Sequence, residues 1–258
     1  MKAIILAGGL GTRLREETEF RPKPMVDIGG RPVLWHIMKG FAQHGITEFV
    51  VCIGYRGEVI RDYFLNYEAR TNDFTVHLGA TREIEYHTNH LESDWRVTVL
   101  DTGLDTPTGG RVKLAQPHVA GERFLVTYGD GVADVDIPAL LTAHKRRGLL
   151  ATVTTVRPPS RFGVVEIAAD GHVERFREKP RTEDWVNAGF FVFEPGVFDY
   201  LDVDSTLERE PLEALAKDRQ LGAYHHDGFW QPMDTYREFQ MLNRLWADGD
   251  APWKVWPD

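Results

Sequence analysis

The sequence predicts an α/β fold, with a mixed but mainly parallel sheet flanked by helices. Three observations carry that prediction. Residues 3–7, 49–53 and 124–128 are apolar runs without the alternation of a half-exposed strand, as expected where both faces of a parallel sheet are covered. A helical pattern lies between the first two runs, which is the order of a βαβ unit. Glycine clusters follow the first and third runs directly, at what would be the carboxyl edge of such a sheet, where open α/β sheets bind ligands.

The first strand ends at Gly8-Gly9-Leu10-Gly11. Pro32 suits the first turn of a helix, and Val33, Leu34, Ile37, Met38 and Phe41 recur at helical spacing with Gly45 beyond the end. A helix is expected over 58–67 and strands over 74–78, 84–87 and 97–100. The strand at 124–128 runs into the turn Gly129-Asp130-Gly131. A helix over 138–147 and strands over 151–156, 164–167, 173–177 and 187–193 come next. The tail reads as a helix near 211–217, a strand near 222–225 and a last helix over 234–246. There is no repeat, low-complexity tract or linker, so 1–258 is expected to be one domain with an irregular insertion at about 66–105.

The 258 residues are enough to bury a sizeable core, and 42% hydrophobic with 27% charged side chains excludes a disordered chain. Thirty basic against 39 acidic residues leave a net charge of −9, which speaks against nucleic acid as a partner but not against a local basic pocket for a small polyanion. One cysteine, Cys52, excludes an intrachain disulfide or a multi-cysteine metal site and suits a reducing compartment. The apolar start is too short for a signal peptide and no run approaches 18 apolar residues, so a cytoplasmic protein without a membrane partner is expected.

The segment Leu6-Ala7-Gly8-Gly9-Leu10-Gly11-Thr12-Arg13, with Lys23 ten residues on, suits a polyphosphate. Adjacent glycines let backbone N–H groups converge on an anion, and Arg13 and Lys23 add charge-assisted bonds. It is not a P-loop, and the dinucleotide fingerprint fails because Leu14 stands where glycine is needed. A tight turn flanked by balanced surface charges remains open on spacing alone. Thr108-Gly109-Gly110-Arg111 is a second glycine pair beside a cation, opening a helix expected at Val112; its N-terminus would favour an anion, or Thr108 is simply its cap. Asp130 in its turn and Asp234 at a helix start are two carboxylates able to share one Mg2+, or else a turn aspartate and an N-cap followed by Thr235 and Glu238.

The stretch Gly8 to Leu14, followed by Pro22-Lys23-Pro24-Met25, resembles the signature of the sugar-1-phosphate nucleotidyltransferases, or sugar-nucleotide pyrophosphorylases. The likeness runs over essentially the whole chain. Ile28 to Met38, Thr127 to Val132 and Phe229 to Thr235 most resemble the members that take CTP and glucose 1-phosphate. The resemblance implies a Rossmann-like nucleotide-diphospho-sugar transferase fold. It also implies Mg2+-dependent transfer giving CDP-glucose and pyrophosphate, for deoxysugar and surface-polysaccharide synthesis, in a homo-oligomer.

Residue by residue, it implies a nucleotide site of Leu6, Ala7, Gly8, Gly9, Gly11, Thr12, Arg13, Lys23, Thr108, Gly109, Arg111, Gly129 and Asp130. Tyr128, Glu178, Lys179, Asn187, Gly189 and Trp230 would hold the sugar phosphate, and Asp130 and Asp234 the metal. Arg13, Lys23 and Lys179 would be catalytic through charge, since joining two anions needs neutralisation and in-line positioning rather than a protein nucleophile. Base selection is placed in the loop around Asp101-Thr102-Gly103.

Two alternatives stand beside this reading. One is uridylyl or thymidylyl transfer by the same mechanism, and the other a nucleotide-sensing module without chemistry. His87, His90, His225 and His226 lack a complementary zinc-ligand cluster and read as solvated side chains. Trp246, Trp253 and Trp256 read as packing, within the domain or against another subunit.

Overall fold

The computed structural model describes the chain apart from residues 13, 80–82, 89, 120, 161 and 258, with the backbone alone at Arg15 and Glu16. Strand β1 (Lys2–Ala7) leads through the glycine loop into a short helix α1 (Arg15–Thr18) and a 3-10 turn at Lys23–Met25. A small ribbon, β2 (Asp27–Ile28) with β3 (Arg31–Pro32), precedes α2 (Val33–Ala42) and β4 (Glu48–Ile53). Strand β4 lies parallel to β1, from Lys2 opposite Glu48 to Ala7 opposite Ile53. The first βαβ unit is thus present, with α2 starting one residue after Pro32.

One helix was expected over 58–67, and the chain makes two, α3 (Gly57–Leu65) and α4 (Tyr67–Thr71). The break is at Asn66, which leaves helical geometry (φ −109°, ψ 21°) while its backbone N–H and its side-chain amide both donate to the Asp62 carbonyl, and the amide to the Asp62 carboxylate as well. Strands β5 (Phe74–His77) and β6 (Glu83–Tyr86) form a separate exposed ribbon. Strand β7 (Arg96–Asp101) returns to pair with β4 in parallel as an edge of the main sheet.

Helices α5 (Thr108–Leu114) and α6 (Gln116–Val119) lead to β8 (Phe124–Tyr128), which lies parallel to β1 on its other side. Then come β9 (Gly131–Ala133), α7 (Ile137–Arg147) and β10 (Ala151–Val156). A projecting ribbon, β11 (Val164–Ile167) with β12 (Val173–Arg177), precedes β13 (Val186–Phe193). The chain closes with α8 (Glu210–Lys217), β14 (Leu221–His225), β15 (Trp230–Pro232) and α9 (Tyr236–Ala247).

Among the described residues the main sheet has seven strands in the order β14-β10-β13-β8-β1-β4-β7. Its neighbours pair in parallel except around β13, which is antiparallel to both β8 and β10. This reversal brings the start of β13, with Asn187, to the edge where the parallel strands end. Alternate residues of each strand face opposite layers. Ala3, Ile5, Val51 and Leu125 pack with α2, while Ile4, Leu6, Cys52 and Phe124 pack with Val112 of α5 and Leu215 of α8.

Burial pushes the Cys52 thiol up to about 12, so it is part of the core and not a nucleophile. The C-terminal tail folds back on its own domain, where Trp253 and Trp256 are buried against Trp35 and His36 of α2. Among the described residues no helix is long and apolar enough to cross a membrane.

Candidate active site

The ends of β1, β8 and the loop after β7 meet around a cleft of about 520 Å3. One wall is the glycine loop, with Leu6, Ala7, Gly8, Gly9, Gly11 and Thr12 of the expected nucleotide set together with Leu10. Gly11 needs its missing Cβ, since its φ is +61° and a side chain would press on Thr18 and Lys23. The facing wall is Leu104, Asp105, Thr106, Pro107 and Thr108. It directly follows the loop in which base selection was placed. Lys23, Pro24, Arg111, Tyr128 and Asp130 complete the lining.

A second cleft of about 320 Å3 adjoins it and shares Tyr128 and Asp130. Asn187, Trp230 and Asp234 line it, with Thr127, Gly131, Ala188, Phe190 and Pro232. The Trp230 indole N–H donates to the Ala188 carbonyl at 2.8 Å, which sets the ring in this wall. Gly189 (φ +80°) leaves room for the Tyr128 ring, 2.3 Å from where a Cβ would stand. Asn187 accepts from the Gly189 N–H at 2.7 Å and donates to Tyr128 Oη at 3.3 Å.

Lys23, Asp130 and Asp234 meet where the clefts join. The Lys23 ammonium donates to Asp130 Oδ2 at 2.7 Å and to Asp234 Oδ1 at 2.5 Å, and Lys23 is 6% exposed. The two carboxylates therefore converge on one point in a largely desolvated place, where charge interactions are strong. Among the described residues the two carboxylates accept from Lys23 and neither bonds its own turn or helix start. The α9 cap is Thr235, in a capping box with Glu238, while the Asp234 backbone N–H donates to Glu238. Two carboxylates are oxygen donors of the kind a hard divalent cation takes, and here the Lys23 ammonium occupies the point on which they converge. Among the described residues no cluster of three or more acidic, histidine or cysteine side chains offers a metal site.

Other expected residues are placed differently. Arg13 lies outside the described residues. Thr108 does not cap a helix at Val112, because α5 already begins at Thr108 and Pro107 precedes it. Gly109 and Gly129 line neither cleft: a Cβ on Gly109 would meet Ser205, and Gly129 packs between Leu6 and Pro24. Glu178 and Lys179 stand at the end of β12, paired to each other at 3.4 Å and outside both linings.

His90 sits between Glu68 and Glu92, and His226 against Asp134, so these rings are tied into the structure. Glu208 was not singled out from the sequence, yet its carboxylate accepts from Thr108 Oγ1 at 2.6 Å and from Tyr128 Oη. Burial, and next the charge of Glu208, push the Tyr128 phenol well above the ordinary tyrosine range. No local signal marks Glu208, because its partners are 80 and 100 residues away.

A mainly parallel sheet whose carboxyl edge carries a glycine loop, an ammonium and two convergent carboxylates is the frame of a nucleotide-handling transferase. The nucleotidyl transferase family model matches residues 2–231, and the chain belongs to that family. It is 52% identical to the glucose-1-phosphate cytidylyltransferase of Salmonella typhimurium, over 99% of this chain and all of that one. It is 44% identical to a probable glucose-1-phosphate cytidylyltransferase of Bacillus subtilis, again over 99% and 100%. Among solved structures, HddC from Yersinia pseudotuberculosis superposes with a TM-score of 0.68 at 22% identity, covering 95% of this chain and 99% of that one. A UDP-glucose pyrophosphorylase complexed with UDP-glucose gives 0.68 at 17%, covering 96% and 98%. At those identities the superpositions show the fold alone.

Proposed function

We propose that the protein joins CTP and glucose 1-phosphate to give CDP-glucose and pyrophosphate. The observation that carries this reading is the junction of the two clefts, where Lys23, Asp130 and Asp234 converge. The extent of identity to the cytidylyltransferases supports the choice of substrates.

CTP lies in the larger cleft with its phosphates toward the glycine loop and Lys23. Glucose 1-phosphate lies in the smaller cleft beside Asn187 and Trp230. An oxygen of the sugar phosphate attacks the α-phosphorus, a new P–O bond forms, and the α–β bridge breaks with its electron pair leaving on pyrophosphate. Asp130 and Asp234 would hold Mg2+, which supplies charge neutralisation to the phosphates. The Lys23 ammonium, desolvated and aimed at the junction, opposes charge where it develops, and the loop N–H groups orient the polyphosphate. Glu178, Lys179 and Arg13 enter this reading through the resemblance. The single buried thiol supports a cytoplasmic site of action. The exposed apolar side chains of Ile167 and Phe176 in the β11–β12 ribbon, with Phe162 just before it, support a homo-oligomer.

The test is pyrophosphate release with glucose 1-phosphate, Mg2+ and each of CTP, UTP, dTTP, ATP and GTP in separate reactions. Release with CTP above all others is expected. Release with another nucleotide alone would move the specificity, and silence with every one would refute the reading.

A further inference from the structure

Glu208 lies in an exposed turn just before α8 and belongs to neither cleft lining, yet both of its carboxylate oxygens are engaged. Oε2 accepts from Thr108 Oγ1 at 2.6 Å, and Oε1 accepts from Tyr128 Oη. Thr108 is itself tied to that turn, because its Oγ1 accepts from the Leu207 N–H at 2.9 Å, while the Gly110 N–H donates to the Ser205 carbonyl at 3.1 Å. The carboxylate is therefore held from the start of α5 and reaches Tyr128 from outside the clefts.

Tyr128 is common to both clefts, and its ring is clamped. Gly189 stands too close to it to carry a side chain, and Phe191 meets it edge-on at 6.1 Å between ring centres. What could still vary is the direction of the phenolic proton. Asn187 Oδ1 accepts from the Gly189 N–H at 2.7 Å, so the amide nitrogen faces Tyr128 and donates to Oη at 3.3 Å. A carboxylate only accepts, so the proton of Oη points at Glu208. Toward a ligand the phenol is left with acceptor capacity alone.

We propose that Glu208 is a positioning residue that fixes Tyr128 as a hydrogen-bond acceptor, so that the smaller cleft takes the hydroxyl end of the sugar phosphate at Tyr128 and turns the phosphate end toward Lys23. The proposal rests on the sugar-phosphate reading of this cleft. A phosphate dianion only accepts, whereas sugar hydroxyls donate as well. An acceptor therefore separates the two ends, and a freely turning phenol, able to donate to either, does not. At the junction the Lys23 ammonium, 2.7 Å from Asp130 Oδ2, has only N–H groups to offer. Opposite polarity at the two ends leaves one orientation, with a phosphate oxygen at the point of attack.

The experiment is pyrophosphate release at saturating CTP with glucose 1-phosphate and its monofluorinated deoxy analogues, one for each hydroxyl. It is run on the wild type, Glu208→Gln, Tyr128→Phe and the double variant. Fluorine removes the donor and keeps a weak acceptor, so it reports the polarity of each contact. In the wild type one fluorinated position should raise KM about tenfold or more. In Glu208→Gln and in Tyr128→Phe that penalty should shrink below about threefold, because KM for glucose 1-phosphate itself rises while kcat stays within about threefold. The double variant should match Tyr128→Phe, since Glu208 acts through the phenol. Glu208→Ala should behave as Glu208→Gln does and replaces it if that variant does not fold.

A fluorine penalty that survives in Glu208→Gln would overturn the proposal with the proposed function intact. So would a KM that rises further when Glu208→Gln is added to Tyr128→Phe, or a wild type indifferent to fluorine at every position. A lowered melting temperature with KM, kcat and fluorine penalties unchanged would make Glu208 a stabilising contact alone, which overturns it too. A wild type that releases no pyrophosphate from glucose 1-phosphate with any nucleotide would remove the proposed function, and this proposal with it.

Discussion

Acid should release the C-terminal tail through His36. This ring is 1% exposed on α2, with its Nε2 2.9 Å from the Ile28 carbonyl and its Nδ1 3.3 Å from the Trp253 indole nitrogen. A carbonyl only accepts, so Nε2 carries the proton and Nδ1 accepts from Trp253. A second proton on Nδ1 would set two donors against each other inside a ring of tryptophans.

Burial above all lowers the His36 pKa from 6.5 to about 4. With the folded value below the unfolded one, the stability is fully present above pH 6.5 and is lost as pH falls through about 4. The difference amounts to at most about 3.4 kcal/mol, of which about 2.5 kcal/mol should be gone at pH 4.5. Urea unfolding of the wild type and His36→Gln at pH 7 and pH 4.5, followed by tryptophan fluorescence, isolates this group from the other titrating side chains. The wild type should lose about 2.5 kcal/mol more than the variant on acidification. Equal losses would refute the reasoning. Helix α2 packs on β9 and on the Lys23–Met25 turn, so turnover should decline over the same interval.

Two other perturbations test the site and its support. Asp130→Asn should lower turnover about a hundredfold or more in a pyrophosphate-release assay. Its melting temperature should move little, because the Asp130 side chain is 35% exposed and Lys23 keeps Asp234. Gly29→Ala should cost on the order of 2 kcal/mol in denaturant unfolding, because Gly29 has φ +60° and a Cβ there would stand 1.9 Å from the Trp246 ring.

Strands β1, β4 and β8 were legible because burial on both faces leaves an unmistakable apolar run. The α2 stripe was equally plain, and so was the glycine loop after β1. The α3–α4 break was not legible, since asparagine also fits a helix interior and only the folded backbone of Asn66, at φ −109°, marks the end of α3. The start of α5 was missed for a similar reason. Gly109 and Gly110 are poor helix formers, yet Ser205 and the Val203 carbonyl press on them closely enough that only glycine fits. In the site, Lys23, Asp130, Tyr128, Asn187, Trp230 and Asp234 stand around the junction of the clefts, whereas Glu178 and Lys179 stand apart on a ribbon. The role of Glu208 depends wholly on distant partners.

Local chemistry is written along the chain: apolar periodicity, glycine at a sharp turn, a carboxylate after a strand. Such features follow from sterics and burial over a few residues, and from them the α/β class, the loop and the candidate charges could be read. The meeting of Lys23 with Asp130 across 107 residues and with Asp234 across 211 is a different matter. It depends on the order of strands in the sheet and on the reversal of β13, which the whole set of packed elements decides at once. The tertiary structure alone therefore determined that one ammonium serves two carboxylates, and that the second cleft opens beside the first.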